Sequence, residues 1–206
     1  MLIIEPGRTG SPSNALLKAM FEDRRSVFID LLKWDLPVLG GRFEIDQFDN
    51  EAATYVIVAD EHSDHLGSAR LLPTTQPHLL GELFGHLCVS APPAGPDVFE
   101  ITRFCLSRRQ TAFERRKTRN RLVSALAWHA LETGISTYTG VAELAWLQQI
   151  LAFGWDCRPL GPFCASPAGM LGALAIFIDE RTPALLEANG IWEPVEAQSA
   201  RVAKAA

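Results

Sequence analysis

The chain has 206 residues, 48% of them hydrophobic and 21% charged, with a formal net charge of −5. That balance fits one globular domain with its own core and excludes disordered, collagen-like and coiled-coil chains. No apolar run approaches the ~20 residues a membrane span requires.

The opening MLIIEPGRTG has no basic n-region and too short an apolar stretch for a signal peptide, so a cytoplasmic protein is expected. Residues 16–32 predict an amphipathic helix, with Leu17, Met20, Phe21, Phe28 and Leu31 at helical spacing. Residues 54–59 (TYVIVA) and 66–72 predict strands joined by a polar turn, and 99–106 a further strand. Between the second and third of these, Ala91–Asp97 reads as a Pro/Gly-rich loop. A long helix follows over 112–133, apolar along Leu122, Val123, Leu126, Ala130 and Leu131. Then come a strand at 136–142, a helix at 143–153, a buried strand at 171–178 and a short helix around 184–188. This order predicts an α/β sandwich, one mixed central sheet flanked by helices. Cys88, Cys105, Cys157 and Cys164 lack C-x-x-C spacing and read as buried, reduced thiols. His62 and His65 form an H-x-x-H in the polar turn, which reads as solvated loop, so no metal site is expected.

Several charges fall where an apolar core would not place them. Arg24 lies on the apolar face of the first helix, where a guanidinium is costly unless it snorkels to the surface or meets carboxylates. Asp46 and Asp49, three apart before the strand TYVIVA, are candidate partners, or simply turn formers. Arg70 and Arg103 sit inside strands. Glu100 precedes Arg103 by three residues, a spacing that points to opposite faces unless the strand carries a bulge; a strand-end ion pair is the alternative. Together these groups favour a site for a zwitterionic or multiply charged small molecule. From Arg103 to Arg121 there are eight basic residues and one acidic, a segment suited to an anionic partner or a solvated helix start.

These residues resemble the acyl-homoserine-lactone synthases, which make the autoinducers of bacterial quorum sensing. The matching blocks are Arg24-x-x-x-Phe28, Trp34 followed by Asp-Leu-Pro, Asp46-Gln-Phe-Asp49-Asn, Ala69-Arg70-Leu-Leu-Pro-Thr-Thr-x-Pro77, and Glu100-Ile-Thr-Arg103-Phe104. They hold order and spacing across roughly residues 20–106; the C-terminal half matches more loosely, through a strand, a helix and Gly154-Trp155. The resemblance implies a GNAT-like three-layer sandwich. It also implies one synthase domain over 1–206, with an S-adenosylmethionine-binding half about 1–110 and an acyl-chain-binding half about 111–206.

The implied reaction joins S-adenosylmethionine, as substrate with no further cofactor, to an acyl group on acyl carrier protein or, less often, coenzyme A. It implies Glu100, Asp46 and Arg103 as catalytic, with Glu100 the general base for the substrate amine. Arg24, Phe28, Trp34, Asp46, Asp49, Arg70, Arg103 and Phe104 are the implied S-adenosylmethionine contacts. Asp46 and Asp49 would hold its ammonium and sulfonium end, while the arginines orient those acids and the substrate carboxylate. Gly140, Ile150, Leu151, Trp155, Leu174 and Ile176 are candidate acyl-chain liners, ordinary core being the alternative for each. Relatives making 3-oxo products tend to carry Thr or Ser where this chain has Gly140, so an unsubstituted acyl chain is expected. Arg108, Arg109, Arg115, Arg116, Lys117 and Arg119 are the candidate carrier-docking residues. The later helix has Gln148 and Gln149 and no Lys or Arg, where relatives carry basic residues, and this shifts docking toward 108–121 or changes the carrier.

Two rivals remain. A coenzyme A-dependent N-acetyltransferase of the same fold cradles pyrophosphate on a Gly-rich turn, and this chain has no glycine between Gly95 and Gly134. A nucleic-acid-binding module would interleave aromatics with the basic run, which this segment does not, and the rest of the chain is acidic. Neither nucleic acid nor membrane is an expected partner.

Overall fold

The chain's first apolar run, Leu2–Pro6, is a strand (β1) paired antiparallel with β4 (Thr54–Ala59) in the register Ile3↔Ile57. The computed structural model describes residues 1–166, 169–194 and 200–202. Two compact units share the chain. The first takes in Met1–Arg70 and Arg103–Ala125 with a short strand β11 (Ala200–Val202), and the second takes in Leu71–Thr102 and Leu126–Glu193.

In the first unit, the strand order is β11–β1–β4–β5–β6, where β5 is His65–Pro73 and β6 is Val98–Leu106. Only the opening of β5 and the end of β6 belong to this unit. Helix α1 (Ala15–Arg24) starts on Asn14, whose side-chain oxygen accepts the Leu17 N–H at 2.8 Å. It buries Leu17, Met20 and Phe21, and Phe21 packs edge-on against Tyr55 of β4. The helix then widens into a π-helical segment, Arg25–Leu31. In that i→i+5 ladder each residue turns through a smaller angle than in an α-helix. The predicted apolar stripe therefore breaks: Phe28 is buried but Leu31 is 47% exposed. The hairpin of β2 (Val38–Leu39) and β3 (Phe43–Glu44) turns through Gly40 and Gly41, both at positive φ. The opening turns of α3 (Ala112–Thr133) lie close against β5, because Gly67 has no side chain: a Cβ there would come within 2.9 Å of Thr118 and Leu106.

In the second unit the order runs from β5 and β6 to β7 (Thr137–Glu143), β10 (Gly169–Phe177) and β8 (Asp156–Pro159), with β9 (Cys164–Ser166) also on β10. β6 and β7 are parallel and β7 and β10 antiparallel, so the sheet is mixed as expected. Helices α2 (Leu79–Leu83), α4 (Leu144–Leu151) and α5 (Thr182–Ala188) complete it. Its core includes Leu126, Tyr138, Leu147, Leu174, Ile176 and Leu186. Among the described residues no helix is long and apolar enough to cross a membrane.

Candidate active site

Six charged side chains of the first unit converge in a buried network. β3 ends on Glu44, and the extended chain beyond it carries Asp46 two residues on. Asp46 Oδ1 accepts the Phe48 N–H and Asp49 Oδ2 accepts the Asp46 N–H, each at 2.9 Å, closing the turn that leads to β4. The acids thus form a turn and also meet the arginines. Arg24 donates to Asp49 through Nη1 and Nη2, both at 2.8 Å, and through Nε to Glu44 at 2.6 Å. Arg70 donates to both Asp46 oxygens at 2.6 and 3.1 Å, and its Nη1 is 2.9 Å from Asp49. Arg103 reaches Glu44 at 3.0 and 3.1 Å and Asp46 at 2.7 Å. Tyr55 Oη donates to Asp49 at 2.8 Å.

Three guanidiniums and three carboxylates balance, which is what allows them to be buried together. Burial alone would raise the Asp49 pKa, but Arg24 and Arg70 outweigh it and hold the carboxyl far below the usual range. Burial would lower Arg24, yet Asp49 and Glu44 raise it well above its ordinary value. The Tyr55 hydroxyl is pushed up by burial and by Asp49, so it stays a donor.

Glu44, fully buried between Arg24 and Arg103, is the member the sequence reading lacks. Its available signal is position: it stands two residues before Asp46 in an extended stretch, on the same side of the chain. Asp46 and Asp49 were expected to grip the substrate's cationic end. Here their oxygens are occupied by guanidiniums, so their direct role in this structure is to fix Arg24, Arg70 and Arg103.

The network opens at one end. Arg103 and Asp46 side chains are 6% and 5% exposed, whereas Arg24, Glu44, Asp49 and Arg70 are at 1% or less. The Arg103 guanidinium lies 5.7 Å from the Phe28 ring centroid. Phe28 in turn stacks on half-buried Trp34, centroids 5.1 Å apart and planes at 11°. Lys33, at φ 61°, reverses the chain after the π-helical segment, and the Trp34 N–H bonds the Phe28 carbonyl at 2.9 Å. Arg103 itself has φ 51° inside β6, a left-handed conformation rare for arginine. The buried positions of β6 are 98, 100, 102 and then 105, so the strand's alternation slips at Arg103. The Glu100–Arg103 spacing leaves such an irregularity open, beside a strand-end ion pair. Phe104 follows, half-buried.

In the second unit, Glu100 is fully buried, and its Oε1 accepts the Leu80 N–H at the start of α2 at 2.9 Å. Among the expected acyl-chain residues, Gly140 pairs directly with Leu174 across β7 and β10, and Trp155 Nε1 donates to the Ile150 carbonyl at 2.9 Å. Leu174 and Ile176 are buried; Ile150 and Leu151 are half-buried. The opposite face of β10 presents Leu171 and Ala173 to a separate apolar cluster with Leu80, Leu87, Phe84 and Leu160.

Around the start of α3, Arg108, Arg109, Arg116 and Lys117 are exposed, and Arg115 and Arg119 are half-buried. Glu114, the run's only acid, bonds the Thr111 hydroxyl and N–H at 2.8 and 2.7 Å as a helix cap. Two expectations are corrected. His65 is not in a solvated loop: it is fully buried as the first residue of β5, while His62 is exposed. Of the cysteines only Cys105 is buried; the other three are half-buried, all four being free thiols.

The amino-acid sequence matches a known family profile: that of the autoinducer synthases aligns with residues 10–156. The chain belongs to that family. This synthase-family chain is 31% identical over 188 residues to the acyl-homoserine-lactone synthase of Ralstonia nicotianae, covering 88% of this chain and 91% of that one. A shorter match, 43% identical over 88 residues, relates it to the acyl-homoserine-lactone synthase of Ralstonia solanacearum, and there the chain spans less than half of the relative, 43% of its length. Family members of this name are acyltransferases. The fold is similar to that of a coenzyme A-dependent acyl-homoserine lactone synthase solved with S-adenosylmethionine and isopentyl-CoA, at TM-score 0.84 and 24% identity over 100% of this chain and 95% of that one. An N-acetyltransferase fold from Lactobacillus plantarum superposes at TM-score 0.54 and 15% identity, covering 86% of this chain and 98% of that one. The synthase fold is thus GNAT-like.

Proposed function

We propose that the chain makes an N-acyl-L-homoserine lactone from S-adenosylmethionine and an acyl thioester. The observation that carries this reading is the charge-balanced network opening at Arg103 and Asp46 beside the Phe28–Trp34 stack. A ligand with a carboxylate and a sulfonium finds there a guanidinium and aromatic faces.

In the first step, the substrate α-amine attacks the thioester carbonyl carbon, the C–S bond breaks, and the carrier leaves as a thiol. A free α-amino group has a pKa near ~8, so it must lose a proton before attack, and Glu100 is the proposed acceptor. The Leu80 amide orients that carboxylate. In the second step a carboxylate oxygen of the same substrate attacks its own γ-carbon. The C–S⁺ bond breaks, methylthioadenosine departs with the electron pair, and the lactone closes. No group more reactive than a placed carboxylate is required, so Arg103 and its partners act by orientation.

The donor is proposed to be acyl carrier protein, an acidic partner for the exposed basic residues at the start of α3, with acyl-CoA as the alternative. The acyl chain is assigned to the second unit, near Gly140 and Leu174. The test is to incubate the purified chain with S-adenosylmethionine and a series of acyl-carrier-protein and acyl-CoA thioesters, and to follow products by mass spectrometry. Acyl-homoserine lactone and methylthioadenosine in equal amounts are expected. Acetyl transfer to amines without lactone would overturn the reading in favour of an N-acetyltransferase.

A further inference from the structure

A second chain of buried polar groups lies in the first unit, outside the six-residue network. His65 Nδ1 is 2.7 Å from Asp23 Oδ2, and its Nε2 is 3.0 Å from Ser68 Oγ. His65 and Ser68 are at most 1% exposed and Asp23 6%. Arg109 closes the chain from outside: its Nη2 donates to the same Asp23 oxygen at 3.1 Å and to the His65 carbonyl at 3.3 Å. The Arg109 side chain is nevertheless 62% exposed.

The order Ser–His–Asp is that of a nucleophile triad, but the end of this chain that reaches the surface is not Ser68 but Arg109. Both of its contacts use Nη2, and among the described residues Nε and Nη1 make no hydrogen bond, so part of the guanidinium fork stays available while its root is held. Next to it, exposed Arg108 donates through Nη1 to the Ser26 carbonyl at 3.3 Å. Glu114, the only acid of the run, is committed to Thr111. An anion arriving here meets cations that have already given up much of their rotamer freedom. A planar fork of N–H donors matches phosphate oxygens.

We propose that Asp23, His65 and Ser68 are positioning residues that hold Arg109 to bind the phosphate of the acyl donor's phosphopantetheine arm. This rests on the reaction proposed above, in which the donor is a carrier-protein or coenzyme A thioester; that phosphate is the anionic group both share. With Nδ1–H given to Asp23, Nε2 accepts the Ser68 hydroxyl, which fixes the ring. The ring in turn fixes the carboxylate, and the carboxylate the arginine.

The test compares kcat and both KM values for the wild type, Arg109→Gln, Asp23→Asn and Ser68→Ala, with three donors: acyl-carrier protein, acyl-CoA, and acyl-pantetheine lacking the phosphate. Arg109→Gln is expected to raise KM roughly tenfold for the two phosphorylated donors, the loss of one charge-assisted contact. Its kcat, its KM for S-adenosylmethionine and its KM for acyl-pantetheine should match wild type. Asp23→Asn should give the same split more weakly; if it does not fold, Ser68→Ala carries that arm. An effect confined to the carrier protein, or equal on acyl-pantetheine, overturns the phosphate assignment. Wild-type donor KM in a folded Asp23→Asn or in Ser68→Ala overturns the positioning chain. Wild-type protein that makes no lactone from any donor fails the proposed reaction instead, a separate result.

Discussion

Arg24 and Asp49, 25 residues apart, meet as a two-bond fork with both side chains 1% exposed. Their geometry makes Asp49 a source of acid sensitivity. Burial alone would raise its pKa, but Arg24 and Arg70 depress it strongly. The folded state therefore binds this proton less readily than the unfolded chain, whose carboxyl has a pKa of ~3.9. The stabilisation is fully present above that value and is lost as pH falls from there toward the depressed folded value. Unfolding followed by circular dichroism should show stability falling with pH below ~4, and Asp49→Asn should flatten that limb. An unchanged acid limb in the variant would show that Asp49 does not govern it.

Glu44 joins Arg24 to Arg103 with no exposure of its own. Removing its charge leaves two buried guanidiniums short of a partner, so Glu44→Gln should cost ~3–5 kcal/mol in denaturant unfolding. The exposed pair Arg181–Asp179 is the contrast, and Asp179→Asn should cost under ~1 kcal/mol. Equal losses at the two sites would contradict the importance given to burial.

Glu100→Gln keeps an oxygen to accept the Leu80 N–H and so should fold normally. It cannot take a proton from the substrate amine, and turnover should drop by ~10²–10⁴-fold. Lactone release at the wild-type rate would remove Glu100 from the chemistry.

Phe28 supports Arg103 on one side and Trp34 on the other. Phe28→Leu keeps the apolar bulk but loses the stack, worth ~0.5–1.5 kcal/mol. KM for S-adenosylmethionine should rise by ~2–10-fold while KM for the acyl donor holds. The opposite pattern would place the stack with the acyl donor.

Gly140 presents no hydroxyl, and a Cβ added there would lie 3.2 Å from the Ile101 carbonyl oxygen. The product should carry an unsubstituted acyl chain. Mass spectra dominated by 3-oxo lactones would refute this.

Local periodicity carried a good deal of this protein. The helix over 112–133 and the strand TYVIVA stand within the bounds their patterns imply, because an apolar stripe repeats over enough residues to declare its winding. Arg24, Arg70 and Arg103 were legible as misplaced charges, since a core does not bury them without partners, and Asp46 and Asp49 as candidate partners or turn formers. What no local pattern could show is who meets whom. Glu44 sits in a strand of two residues, too short for a periodic signal, and its bond to Arg103 spans 59 positions. Leu31 leaves the apolar stripe because the helix changes its winding, and His65 is drawn inside because Asp23 and Ser68 await it. These outcomes depend on pairings closed by the folded chain, where burial raises the cost of every unpaired charge and so selects one arrangement among many.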